Sequence, residues 1–187
     1  MIFSSLEACS SCTACDLAST RHTVVISRGN PKADLMLIGE APGAQEDAQG
    51  VPFVGRSGRA LDQLLRDVDL DPEHDLYISN AIKCRPPNNR RPKKAELAAC
   101  RAWLDLQLET VDPTVIVLTG ATAVEAILGI KGGMTQLRGQ WQSWNGRAVM
   151  PIFHPSYLLR NPSKAAGAPL DLTRQDLDAV RRRLCER

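Results

Sequence analysis

Two sets of side chains in this sequence have the types and spacing for chemistry. The first is sulfur. Cys9, Cys12 and Cys15 follow one another with two residues between each neighbouring pair, and Cys84 and Cys100 stand sixteen positions apart further on. A CxxC turn brings two thiolates onto one metal centre. Two such pairs overlap here, and spacing alone does not choose between them. The second set is the stretch GEAPGAQEDAQGVPFVG, residues 39–55. Gly39, Pro42, Gly43, Gly50, Pro52 and Gly55 break regular structure and let a backbone approach a ligand closely. Glu40, Glu46 and Asp47 put three carboxyl groups on that loop, and Phe53 adds one aromatic face. Taken alone, the stretch also fits a long surface turn with solvated carboxylates.

The elements around these residues give them a place. Leu35-Met36-Leu37-Ile38 is a short apolar run bounded by turn residues, which reads as a buried strand ending on the loop. Thr23–Ser27 is β-branched and reads as a first strand. Ser57–Asp69 carries Leu61, Leu64, Leu65 and Val68 at helical spacing, with Ser57 as N-cap and Gly58 allowing close packing on the loop. Asp75–Ile82 reads as a strand, Lys93–Thr110 as a helix with Leu97, Leu104 and Leu108 on its buried stripe, and Thr114–Thr119 as a strand. A short helix over Gly120–Leu128, a loop over Gly129–Gly139, a strand from Gly146 to His154 and a terminal helix over Leu170–Leu184 complete the chain. Alternation of strands and helices predicts an α/β fold, a three-layer αβα sandwich on about four parallel strands. Loops at the carboxyl ends of such strands bind ligands. The loop at 39–55, Asn80 and His154 each follow a strand, so all three can meet at one edge of the sheet.

Bulk properties set limits. The 187 residues suffice for one domain with its own core, and 43% hydrophobic with 24% charged residues is ordinary globular composition. The net charge of +2 points to no bulk polyanion binding. The exception is local: Lys83 to Lys94 holds six basic residues in twelve and no acid. That run is either a solvated, proline-stiffened connector or a phosphate-contacting surface. Arg181, Arg182 and Arg183 suit the negative end of the terminal helix instead. No apolar run approaches a membrane span and no signal-peptide pattern opens the chain, so a cytoplasmic protein is expected, with its cysteines used for metal or redox work rather than disulfides.

The motifs are more specific together than apart. GEAPG, the pair Glu46-Asp47 and GxPFVG resemble the first motif of the family-4 uracil-DNA glycosylases. His154-Pro155-Ser156-Tyr157-Leu158-Leu159-Arg160 resembles their second motif, and the spaced cysteines resemble their metal ligands. The likeness runs from about Cys12 to about Arg160. The family pattern CxxCxL followed by an arginine fits Cys12, Cys15, Leu17 and Arg21, which makes Cys9 a spare. Cys185 has no part in the pattern.

The resemblance implies a single domain over 1–187, its N-terminal segment (about 1–22) tied to the core by a [4Fe–4S] cluster on Cys12, Cys15, Cys84 and Cys100. It implies uracil excision from single- or double-stranded DNA in base excision repair, by a monomer. Phe53 is expected to stack on the flipped base, Asn80 to read uracil O4 and N3–H, and His154 to donate toward O2 as charge develops there. Many glycosylases of the wider superfamily have an aspartate where this chain has Ala41. Glu40 is then first in line to orient the water, with backbone around Ala41 and Gly43 as the alternative. Glu46 is expected to fill the space against uracil C5, or else to brace the loop. Ser156, Arg160, Arg85, Asn89 and Arg90 are expected on phosphates, and Leu158 as the wedge that fills the vacated stack. Three competing readings are a non-catalytic iron–sulfur DNA-binding module, a superfamily variant that cross-links to its product, and a thiol-redox protein. The second lacks its nucleophilic histidine in RPPNNRRPKK. A protein partner such as a sliding clamp is not legible.

Overall fold

The computed structural model describes residues 6–186, so the first five residues of the N-terminal segment lie outside it. Four apolar runs form the middle of the sheet: β2 Leu35–Gly39, β3 Leu76–Asn80, β4 Val115–Thr119 and β6 Arg147–Ile152. They are parallel, in the order β3-β2-β4-β6. Every residue of β2, β3 and β4 is buried, as strands covered on both faces must be.

Alternate residues of these strands feed two separate cores. Leu35, Leu37, Ile78, Val115 and Val117 face α2 (Arg56–Arg66) and α7 (Pro169–Cys185), which bring Leu61, Leu65, Leu177 and Val180. Met36, Ile38, Tyr77, Ile116 and Leu118 face α3 (Lys94–Val111) and α4 (Ala121–Leu128), which bring Leu104, Leu108, Val124 and Ile127. The result is the expected αβα sandwich. A third cluster lies off the sheet, where turns at Leu6–Ser11 and Asp16–Ser19 bring Cys9 and Leu17 against Trp103 of α3.

Several elements differ from the sequence reading. The sheet has six strands, because antiparallel β1 (Arg28–Gly29) and β5 (Gln142–Trp144) cap its two edges. Thr23–Ser27 is not the first strand. Its backbone bonds are mixed: Val25 N–H donates to the Lys83 carbonyl, but Thr23 N–H donates to Asp47, and the Ile26 carbonyl accepts from Ser79 and Gln107. The glycine-rich stretch is not all loop, because Ala44–Gln49, which holds no glycine or proline, winds into α1. Ser57 is not an N-cap, since α2 begins one turn position earlier, behind Gly55. A short helix, α5 (Met134–Leu137), interrupts the expected loop at 129–139. Leu97 is only partly buried on α3. The final helix of the second motif, α6 (Pro155–Arg160), closes the fold against α2. No helix among the described residues is long and apolar enough to cross a membrane.

Candidate functional site

The carboxyl ends of β2, β3 and β6 open onto one cleft of about 430 Å³. Glu40, Ala41, Gly43, Glu46, Phe53, Asn80, Asn89, Arg90, His154 and Ser156 line it. Ten of the positions singled out in the sequence thus converge, although they span 117 positions of chain between Glu40 and Ser156, inclusive. Gly39 lies directly against Asn80 and Phe53. A Cβ there would stand 2.4 Å from Asn80 Oδ1 and 2.5 Å from Phe53 Cζ, so only glycine lets the amide and the ring overlie the strand end. Gly58 works from behind: a Cβ would meet the Phe53 carbonyl oxygen at 1.8 Å, so α2 can press on the turn that holds the ring, as expected.

The three carboxylates of the motif have separate fates. Asp47 is buried and its Oδ1 accepts from His22 and Thr23 N–H at 3.0 and 3.2 Å, which ties the N-terminal segment to α1. Glu46 accepts from Gly43 N–H at 3.1 Å and from Gly55 N–H at 2.7 Å. It braces the two ends of the loop, and the Gly43 N–H is thereby occupied. Asp47 Oδ2 has no partner either but is buried, whereas Glu40, which lines the cleft, keeps a free oxygen there: Thr122 Oγ1 bonds its Oε2, while Oε1 has no hydrogen-bond partner among the described residues. Arg91 Nε donates to the same Thr122 oxygen at 3.0 Å, so the threonine hydroxyl must turn its single proton to Glu40.

His154 is the N-cap of α6. Its Nδ1 accepts from Ser156 N–H at 3.2 Å, with Ser156 Oγ at 2.8 Å. Burial holds its pKa below 6.5, against the pull of the Glu40 carboxylate and with the push of Arg160. A neutral imidazole whose Nδ1 accepts must carry its proton on Nε2. The ring therefore offers the cleft a fixed neutral donor.

The basic run is not a uniform cationic surface. Lys83 is buried, and Arg90 forks onto Glu96, with Nη1 at 2.9 Å from its second oxygen. Arg91 pairs with Glu125 at 2.8 Å. Arg85 donates to Asn89 Oδ1 at 2.7 Å and stays near the rim. Leu158 does not match its expected place either. It is 1% exposed in the core beside α2, so it cannot enter a base stack without leaving that core. Its neighbour Leu159, at 38% exposed, is the apolar side chain that faces out, and Arg160 beside it is exposed.

A second site lies on the far side of Asn80. Cys9, Cys12, Cys15, Cys84 and Cys100 enclose a space of about 10 Å³ together with Arg21, Lys83 and Trp103. Cys9, expected to be a spare, is buried in its wall. Three of the sulfurs meet N–H donors: Cys12 from Trp103 Nε1 at 3.2 Å, Cys84 from Arg21 at 3.4 Å, and Cys100 from Lys83 N–H at 3.3 Å. Burial pushes the Cys9 thiol up to about 12 and Cys84 up to about 11, the latter despite Arg21. Burial likewise pushes Lys83 down to about 8. No three His, Cys, Asp or Glu side chains among the described residues converge on a single ion position. Sequence reading missed Thr122 and Trp103, and it took Lys83 only as part of the basic run. The first had a signal, since it opens a helix at the same strand edge. Trp103 looks like an ordinary core residue, and Lys83 like one more exposed cation, until the chain is folded.

Known sequences agree with this arrangement. The family model "Uracil DNA glycosylase superfamily" matches residues 26–178. A type-4 uracil-DNA glycosylase of Thermotoga maritima is 49% identical over 154 residues, 81% of this chain and 80% of that protein. Those of Sulfurisphaera tokodaii and Archaeoglobus fulgidus are each 39% identical, over 82% and 81% of this chain and 73% and 80% of theirs. The chain belongs to the uracil DNA glycosylase superfamily and, within it, to the type-4 uracil-DNA glycosylases.

Proposed function

We infer that this protein excises uracil from DNA by hydrolysing the N-glycosidic bond, and leaves an abasic site for base excision repair. One observation carries the reading. A stacking ring, a side-chain amide and a fixed neutral imidazole donor share one cleft beside a carboxylate with a free oxygen.

A base inside a duplex is out of reach, so uracil must be flipped into the cleft. Phe53 stacks on it, and Asn80 pairs with O4 and N3–H. His154 Nε2–H points to O2. As the C1′–N1 bond breaks, its electron pair moves onto the base, and a positioned donor stabilises that charge. Glu40 Oε1 holds the water and faces the cation developing on the sugar. Water oxygen adds to C1′ as its proton passes to Glu40 Oε1, and the uracil that leaves with the bond's electron pair is protonated in turn. Glu46, held rigid by Gly43 and Gly55, forms the wall near C5; Ala41 and Gly43 shape the rim. Arg85, Asn89, Arg90, Ser156 and Arg160 take the phosphates of the bent strand in this reading, Arg90 by leaving its pair with Glu96, and Leu159 takes the wedge role expected of Leu158.

The cysteine cage fits a [4Fe–4S] cluster held by Cys12, Cys15, Cys84 and Cys100. Four thiolate donors and N–H···S contacts suit such a cluster. A single zinc ion would need its ligands gathered more tightly than they are. Burial raises the Cys84 and Cys100 thiols, which therefore need a metal to ionise them. Its role here is structural: it ties the N-terminal segment to the chain between 84 and 100 in one domain. A monomer inside the cell, on chromosomal DNA, completes the reading.

The test is cleavage of a labelled oligonucleotide with one uracil, followed by alkali, beside a thymine control. Strand breakage only at uracil is the expected result. No breakage by iron-loaded protein that still binds DNA would replace catalysis with a binding role.

A further inference from the structure

Lys83 is an anomaly for its type: 1% exposed and without a carboxylate partner among the described residues. A buried ammonium is strongly disfavoured unless it is hydrogen-bonded and balanced by charge. Its hydrogen bonds are clear. Nζ donates to Asn80 O at 2.5 Å and to Ser79 Oγ at 2.9 Å. That leaves one ammonium hydrogen, and Lys83 itself lines the cysteine cage. Its own backbone N–H donates to Cys100 Sγ at 3.3 Å, and Cys84 is the next residue of the chain. Lysine 83 also closes a short span of chain. Asn80 lines the cleft, Ala81 and Ile82 N–H pair with the Gly39 and Glu40 carbonyls, and Cys84 enters the cage.

We propose that Lys83 is a positioning residue that couples the two sites: its ammonium is the internal counter-charge of the metal–thiolate cage, and the same group anchors the Asn80 backbone from which the base is read. The inference rests on the cluster reading. Iron-bound thiolates keep negative charge on sulfur, so the cage supplies the balance that the bare protein lacks. The lysine then has no freedom to move, and neither does the Asn80 carbonyl. The strand end that reads uracil is thereby held from the metal side, through one side chain.

Two variants of the iron-loaded protein test this. Lys83→Met keeps length and removes both charge and donor; Lys83→Gln keeps a donor and removes charge. Iron release to a chelator should be about tenfold faster in both, the usual scale for an outer-shell partner. The cluster's reduction potential should fall in both, because removing a nearby positive charge disfavours adding an electron. Cleavage separates the roles: kcat/KM for uracil DNA should drop about tenfold in Lys83→Met through a higher KM, with Lys83→Gln recovering most of it. Unchanged potential and iron release in both variants would overturn the counter-charge. Wild-type cleavage in Lys83→Met would overturn the anchor. Should Lys83→Met not fold, Lys83→Gln still decides the charge, and its KM against wild type decides the anchor. Wild-type protein that holds no iron and sulfide would defeat the cluster reading itself, a separate result.

Discussion

The cleft and the cysteine cage begin four residues apart on the chain, at Asn80 and Cys84, yet they are built on opposite terms. The cleft is an open space of about 430 Å³ in which Glu40 and His154 each keep one free atom for a ligand. The cage encloses about 10 Å³, and three of its sulfurs already have donors. A site that binds and releases must leave valences unused. A site that holds its ligand permanently uses them to fix the fold. The cleft sits at the end of a rigid sheet, and of its own groups Glu46 is the one used to brace its loop. The cage joins segments that share no sheet: the N-terminal turns, the stretch after β3 and one face of α3.

The sharpest break of this comparison is Cys100→Ser. If the cage carries fold and the cleft carries chemistry, this change should lower stability by more than about 4 kcal/mol, through loss of metal, and take activity with it. Denaturant unfolding with and without a chelator measures it; wild-type stability in the variant would deny the cage its structural part. His154→Ala should do the reverse. Single-turnover cleavage should slow by about a hundred- to a thousand-fold, while the unfolding midpoint moves little. Thr122→Val sits between the two. It removes the proton held on Glu40, so kcat should fall about tenfold, with Thr122→Ser restoring it; equal rates in all three proteins would release Glu40 from this pair. Leu159→Ala should weaken duplex binding by about tenfold or less and leave single strands nearly untouched, as read by fluorescence anisotropy. The smallest effect concerns pH. Burial lowers the pKa of His154 from 6.5 in the folded chain. The unfolded chain therefore takes up a proton first, and this contribution to stability, complete above pH 6.5, is lost as pH falls from there through the folded value. His154→Gln should flatten that limb of the stability–pH curve.

Much of this was legible beforehand because it depends on local patterns. Continuous apolar runs announced β2, β3, β4 and β6, since strands buried on both faces cannot alternate. The short edge strands were not legible: two or three residues carry no period, and they pair only because a neighbouring strand offers an open edge. Helix α1 hid inside a glycine-rich stretch because Gly39, Pro42, Gly50 and Pro52 dominated its composition, while AQEDAQ itself is free to wind. The basic run misled in part. A count of charges does not tell which cations are already paired, and Glu96 and Glu125 take Arg90 and Arg91 only once α3 and α4 are in place. Leu158 misled for a similar reason: two adjacent leucines on a helix point about 100° apart, and only the docking of α6 on α2 decided which one is buried.

By itself, then, the sequence determined the kinds of group and their order: the thiols, the glycine-flanked carboxylates, Phe53, Asn80 and the histidine motif, each at the end of a recognisable element. Tertiary structure alone decided their states. It left Glu40 one free oxygen by giving the other to Thr122, put the proton of His154 on Nε2 by aiming Ser156 N–H at Nδ1, and buried Lys83 between the cage and Asn80. The physical reason is that identity is a property of one residue, whereas protonation, orientation and charge balance belong to neighbours brought together from distant parts of the chain.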